Sequence, residues 1–306
     1  MRLRLQAPAG FSLRRTVCSH GWSDLAPFRA ATTAEVLSTV IPLEGGGARG
    51  IVLSQDGGRV IVESPGPADA ATRRTIEAAA RRILALDVDL GAFHDAVRGD
   101  PRFRWIAETG SGRLLRAPNG FEDVVKLVLT TNCSWAFTKK MVVSLVERYG
   151  ERAPDGSRSF PTPRRLAKVA EAELRGIVRA GYRSPYLAAL SRSVAAREVD
   201  PDSWDSDPRS AAELRKEMLR LPGVGPYVAE NLLKFIGKPA GLALDSAIRA
   251  KYSAMYHGGR KIKDGTIARR CAPLGDWAGL ALWFDMTRDW YDGDGPSGKW
   301  VSFLSP

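Results

Sequence analysis

The chain has 306 residues, 44% of them hydrophobic, enough for two or three domains and a sizeable core. Lys and Arg number 45 against 34 Asp and Glu, and the net charge of +11 favours a polyanionic partner. Three scattered cysteines, Cys18, Cys133 and Cys271, argue against a disulfide framework, and no run approaches the ~18 apolar residues of a membrane span.

Residues 1–75 read as a small β-rich domain. Phe11 to Arg29 begins with a helix. Val36–Ile41, Gly50–Leu53 and Arg59–Glu63 are runs rich in β-branched residues, separated by Glu44-Gly45-Gly46-Gly47 and Asp56-Gly57-Gly58. That spacing predicts antiparallel hairpins. Helical periodicity follows over residues 76–306, foreshadowed by the Ala- and Arg-rich segment Ala70–Leu86. It continues through Leu90–Val97, then Phe121–Tyr149 with a break at Thr130-Thr131-Asn132-Cys133. Further helices are predicted over Pro163–Ala180, Ser184–Ala196, Ala211–Leu221 and Trp277–Tyr291. The fold class is therefore α+β: a small antiparallel sheet, then a helical core.

The most informative stretch is Leu221-Pro222-Gly223-Val224-Gly225-Pro226-Tyr227. Leu214, Met218 and Leu221 lie on one helical face before it, and Val228, Leu232 and Phe235 on one face after it. Pro222 and Gly223 stop the first helix. The glycines allow positive φ and close approach of another backbone. The amides opening the second helix lack intrahelical partners and suit a phosphate oxygen. Val224 is expected to pack under the turn. Asp245 follows the apolar run Gly241–Leu244 and precedes a helix, so it reads as an N-cap. The same carboxylate can also serve general-base or electrostatic chemistry.

The hairpin with an aspartate one helix later resembles the helix-hairpin-helix DNA glycosylases. Within them the order of elements is similar to the branch of 3-methyladenine glycosylase II and 8-oxoguanine glycosylase. The resemblance implies duplex DNA with a modified base as partner, with Gly223, Val224, Gly225 and Tyr227 at the DNA backbone. Asp245 would stabilise charge on the sugar and orient water as the base leaves. Bifunctional members carry a lysine where this chain has Tyr227, and a phenol forms no Schiff base. The implied enzyme is monofunctional, and Tyr227 is free to lie against the flipped nucleotide. Lys234, two turns further along, is not counted as a nucleophile. Three cysteines cannot hold the four-cysteine iron–sulfur cluster of another branch, and no metal site is expected. The resemblance allows a monovalent cation on hairpin carbonyls. It also implies a monomeric, cytoplasmic, nucleoid-associated bacterial protein.

The base itself is less legible. Asn132 matches an asparagine that enters the hole left by the flipped base in the oxidised-guanine branch, and reads equally as a helix cap. That branch reads the base with a glutamine where Gly279 stands, and has a histidine where Ala247 stands. A less polar pocket, with Trp283 one turn beyond Gly279 as an aromatic wall, suits an alkylated, cationic purine. Trp277, Leu280 and Phe284 share helical spacing, and core packing accounts for most of these aromatics. Gly181-Tyr182-Arg183 reads as packing with a phosphate or domain contact, and Arg260–Lys263 as a basic loop. The alternative from another class is a non-catalytic protein that binds damaged or abasic DNA. A strand-cutting lyase would need an amine that the motif position lacks.

Overall fold

The structure, a computed structural model, describes residues 1–291. Residues 292–306, the end of the second expected domain, lie outside the described residues.

Five strands form one antiparallel sheet in the order β1-β5-β4-β3-β2. They are β1 (Arg2–Gln6), β2 (Arg29–Ala30), β3 (Val36–Pro42), β4 (Ala48–Asp56) and β5 (Arg59–Glu63). The two glycine-rich strings make the expected hairpins. Pro42 pairs with Ala48 across the first and Asp56 with Arg59 across the second. Sequence reading missed β1, although Arg2-Leu3-Arg4-Leu5 alternates strictly. It pairs with β5 from Arg2–Glu63 to Gln6–Arg59 and so closes one sheet edge.

Helices follow from Ala70. The predicted break holds, with helices at Gly120–Thr130 and Trp135–Tyr149. Two predicted helices are shorter than expected. Pro163–Ala180 resolves into Pro163–Leu166 and Glu171–Gly176. Trp277–Tyr291 resolves into Ala278–Thr287 between two 3-10 turns, the first kinked at Gly275.

One hydrophobic cluster runs from Leu5 on the sheet to Tyr291, so sheet and helices share a core. At its centre Lys126 and Glu122 are fully buried and 2.6 Å apart, with the Phe28 ring 4.8 Å from the ammonium. Charges removed from water in this way require a partner.

The segment Ser19–Asp24 reaches from the sheet side into the helices. The Trp22 indole donates to Asp123 at 2.7 Å. Asp24 accepts from the Trp135 indole at 2.9 Å and from Lys139 at 2.7 Å. Gly21 lies under Trp135, where a Cβ would stand 2.4 Å from the ring. His20 stacks on Phe235 with centroids 5.0 Å apart, and its Nε2 pairs with the Leu115 carbonyl. Burial pulls the His20 pKa down from 6.5 to about 4, so it stays neutral. Its folded-state pKa lies below the unfolded value, so its contribution is complete above 6.5 and is lost as pH falls through about 4. Between about pH 7 and pH 5 the loss amounts to about 2 kcal/mol, or roughly 5 °C of Tm. We expect thermal melts of His20→Gln to lack this component of the acid destabilisation seen in the wild type.

Candidate active site

Helix Ala211–Met218 opens with a capping box of Ser210 and Glu213. Leu214, Met218 and Leu221 are buried, as their spacing predicts. The chain then turns. Val224 packs inward, as expected, and its amide donates to the Leu221 carbonyl at 3.1 Å. That amide is therefore used inside the turn, which leaves the amides of the flanking glycines for an outside acceptor. Gly223 has φ +79°, and a Cβ there would stand 2.9 Å from the Tyr186 Cβ. Both facts require glycine. Gly225 caps helix Pro226–Phe235, with Pro226 in its first turn.

The loop after this helix delivers Asp245, and it is gripped from two sides. On one side stands the second hairpin helix. Glu230 accepts from the Ala243 amide at 2.7 Å, and the Lys234 ammonium donates to the Leu242 carbonyl at 3.4 Å. On the other side stands Gly279. Its amide donates to the Pro239 carbonyl at 2.9 Å. A Cβ on it would fall 1.9 Å from the Gly241 carbonyl oxygen. The missing side chain at 279 thus has a packing cause, because the loop backbone occupies its space.

Asp245 caps helix Ser246–His257, its Oδ1 accepting from the Ile248 amide at 2.7 Å. Burial raises its carboxyl above the ordinary range; the Ile248 amide and then the charge of Lys234 oppose that rise. Tyr227 is half-buried beside it. Burial, and then the Asp245 charge, push the phenol well above its usual value, while a hydrogen bond with Thr130 opposes them. The hairpin, the aspartate and the end of helix Gly120–Thr130 therefore meet at Tyr227.

The adjoining turn settles one ambiguity. Ser134, not Asn132, caps helix Trp135–Tyr149, accepting from the Phe137 amide at 3.3 Å. Asn132 has φ +47° and is exposed. Its side-chain amide donates to the Tyr182 hydroxyl at 3.1 Å. Tyr182 is 47% exposed and lies edge-on to Tyr186, centroids 6.4 Å apart. Tyr186 is the ring against Gly223. Arg183 is buried and bonds the Thr131 carbonyl and hydroxyl, so it packs this turn and is not displayed to a phosphate. Sequence reading gave Tyr182 packing with a phosphate or domain contact. An aromatic with half its surface in water is unusual, but its exposure is a tertiary property.

Trp283 stands apart from this arrangement. Its indole donates to the Ser19 carbonyl at 2.8 Å, and its ring meets Trp290 edge-on at 5.6 Å. It buttresses the Ser19–Asp24 segment. Ala247 sits in the first turn of the capped helix. Among the described residues no cluster of three or more His, Cys, Asp or Glu is placed to hold a metal ion. Nor is any described helix long and apolar enough to cross a membrane.

Comparison with known proteins is consistent with this geometry. The chain is 26% identical over 240 residues to a probable N-glycosylase/DNA lyase of Methanothermobacter thermautotrophicus, covering 69% of this chain and 74% of that protein. It is 23% identical over 205 residues to a DNA-3-methyladenine glycosylase of Bacillus subtilis, covering 65% and 67%. The fold matches the solved structure of MBOgg1 in complex with low affinity DNA ligand, with a TM-score of 0.71 at 18% identity over 94% of this chain and 96% of that one. The model of the HhH-GPD superfamily base excision DNA repair protein matches residues 125–275, the segment that holds Asn132, the hairpin and Asp245. Through that segment the chain is a member of the HhH-GPD superfamily of base excision DNA repair proteins.

Proposed function

We propose that this protein is a monofunctional DNA glycosylase that flips a modified purine, most consistently an alkylated one, out of duplex DNA and hydrolyses its glycosidic bond. The observation that carries the reading is Asp245: a half-buried carboxylate on a clamped loop, facing Tyr227 beside the glycine hairpin. The names of the relatives support base excision, and one of them includes a lyase activity. The outward amides of Gly223, Gly225 and Tyr227 take the DNA backbone, and Val224 supports the turn from below. Ionised Asp245 stabilises positive charge on the sugar as the bond to the base breaks. It then orients water, whose oxygen bonds to the sugar carbon while its proton leaves to the carboxylate. Tyr227 offers no amine, so the product is an intact strand with an abasic site.

Asn132 and Tyr182 together fill the space the flipped nucleotide vacates. Tyr182→Ala is expected to raise KM for lesion duplex about tenfold, since stacking a base on an aromatic contributes ~1–3 kcal/mol. The turnover of bound substrate should change little, and single-turnover kinetics separates the two.

Gly279 and Ala247, standing where the oxidised-guanine branch has a glutamine and a histidine, motivate a binding-only alternative. The packing cause at Gly279 weakens that motive. The test is base release from duplexes carrying alkylated, deaminated and oxidised bases, each also treated with borohydride. Release of one base without a trapped adduct supports the proposal. Tight binding to abasic duplex with no release from any substrate favours the alternative, and a trapped adduct defeats the monofunctional part.

A further inference from the structure

Lys234 is a buried ammonium that the hairpin motif does not account for. It is 5% exposed. Its Nζ lies 3.4 Å from the Leu242 carbonyl and 3.5 Å from the Asn231 amide oxygen. It stands seven residues after Tyr227, hence on nearly the same helical face. Long helical side chains slant toward the N-terminus, which carries its amine back toward the loop. Glu230, one turn earlier, holds the next residue of that loop through the Ala243 amide. Two side chains of opposite charge thus grip the carbonyl and the amide of one peptide group, Leu242–Ala243, just before Asp245.

We propose that Lys234 is a positioning residue for Asp245, fixing the loop through Leu242 and holding the carboxylate ionised with its own positive charge. The inference rests on the reading that Asp245 performs the chemistry. Burial makes a lone carboxylate costly to ionise, and a neighbouring cation reverses that tendency. The field of Lys234 acts on Asp245, and that of Asp245 on Lys234. Burial also draws the lysine itself down to about 8, with Glu230 and then Asp245 acting to raise it. The other charged or titratable groups around the pair are Arg249, which faces Asp245 from the capped helix, the Tyr227 phenol, and Arg113 and Arg116. The two arginines line, with Lys234, the cavity beneath the loop. They stay charged across the working range, so Lys234 is the cation that titrates there.

The active pair is ionised Asp245 with protonated Lys234, so base release should follow a bell in pH. Its acid limb belongs to Asp245 and lies above the ordinary carboxylate range. Its alkaline limb lies near 8, from Lys234. Lys234→Met keeps the apolar stem and removes the charge. It should lower turnover about tenfold near neutrality, move the acid limb up by about one pH unit and erase the alkaline limb. Lys234→Arg should retain the acid limb and also erase the alkaline one. Carbon-13 titration of the Asp245 carboxyl in wild type and Lys234→Met reads the coupling without any substrate. An upward move there supports the inference even if Asp245→Asn proved active, which would defeat only the catalytic reading. Unchanged titration and unchanged limbs in Lys234→Met would overturn it. So would a borohydride adduct that depends on Lys234, since the amine would then be a nucleophile.

Discussion

Asp245→Asn is expected to lower base release by roughly a thousandfold while leaving the fold and DNA binding intact. The substitution separates two roles that the residue combines. Its Oδ1 caps helix Ser246–His257 through the Ile248 amide. An asparagine oxygen accepts that bond about equally well, so Tm should move by only a degree or so. The charge is what asparagine lacks. A neutral amide neither offsets positive charge on the sugar nor accepts a proton from water, and losses of ~10²–10⁴ are usual when such a group is removed. Single-turnover release and duplex affinity, measured side by side, check both halves. Wild-type release rates in the variant would remove Asp245 from the mechanism. Equal losses of Tm and rate would reduce it to a cap.

The second large effect is expected at a residue with no functional atoms. Gly279→Ala should cut turnover by about a hundredfold with little change in affinity for DNA. The added carbon would meet the Gly241 carbonyl at 1.9 Å and the Pro239 carbonyl at 2.6 Å, both backbone. Neither can rotate away as a side-chain tip would. The loop must shift, and the displacement runs through the held Leu242–Ala243 peptide to Asp245. A displacement of about 1 Å at a reacting group costs on the order of 10²-fold. Overpacking of this kind also costs about 1–3 kcal/mol, so Tm should fall by several degrees. The hairpin glycines lie outside the loop, which is why binding should persist. A normal rate in Gly279→Ala would mean that the loop yields without moving the aspartate.

These two positions also mark how far the sequence can be read. The hairpin and the cap at Asp245 are local codes: apolar spacing on either side, glycines where the chain turns, an acid before a helix. Such signals need no knowledge of distant partners, and the structure bears out each of them as local structure. Gly279 carried no local code. As a string it looked like a pocket position without a reader, and only the loop packed against it supplies the reason for glycine. Asn132 was ambiguous because Asn132 and Ser134 both suit a cap, and the choice depends on where the helix starts. Trp283 lies one turn beyond Gly279, among neighbours Trp277, Leu280 and Phe284 that carry core spacing. Its indole bond to Ser19 joins positions 264 residues apart, beyond any periodicity. Lys234, two turns beyond Tyr227, is not counted as a nucleophile, and its bond to the Leu242 carbonyl is a tertiary contact that no string shows. The strand at Arg2–Gln6 was legible and overlooked, for its alternation is plain.

The segment Ser19–Asp24 has a consequence for how this chain can be divided. Composition changes near residue 75, and that is where a boundary for expressing a helical fragment alone would be drawn. Yet the roof over Phe235, one residue past the clamp lysine, is the His20 ring, and Trp22 and Asp24 hold the two helices that flank Asn132. A fragment cut at that boundary would open the hairpin helix to water at the point where it steadies the loop that carries Asp245. The sheet side serves the helical half as a brace as well as a neighbour, so the helical half alone is expected to lose stability.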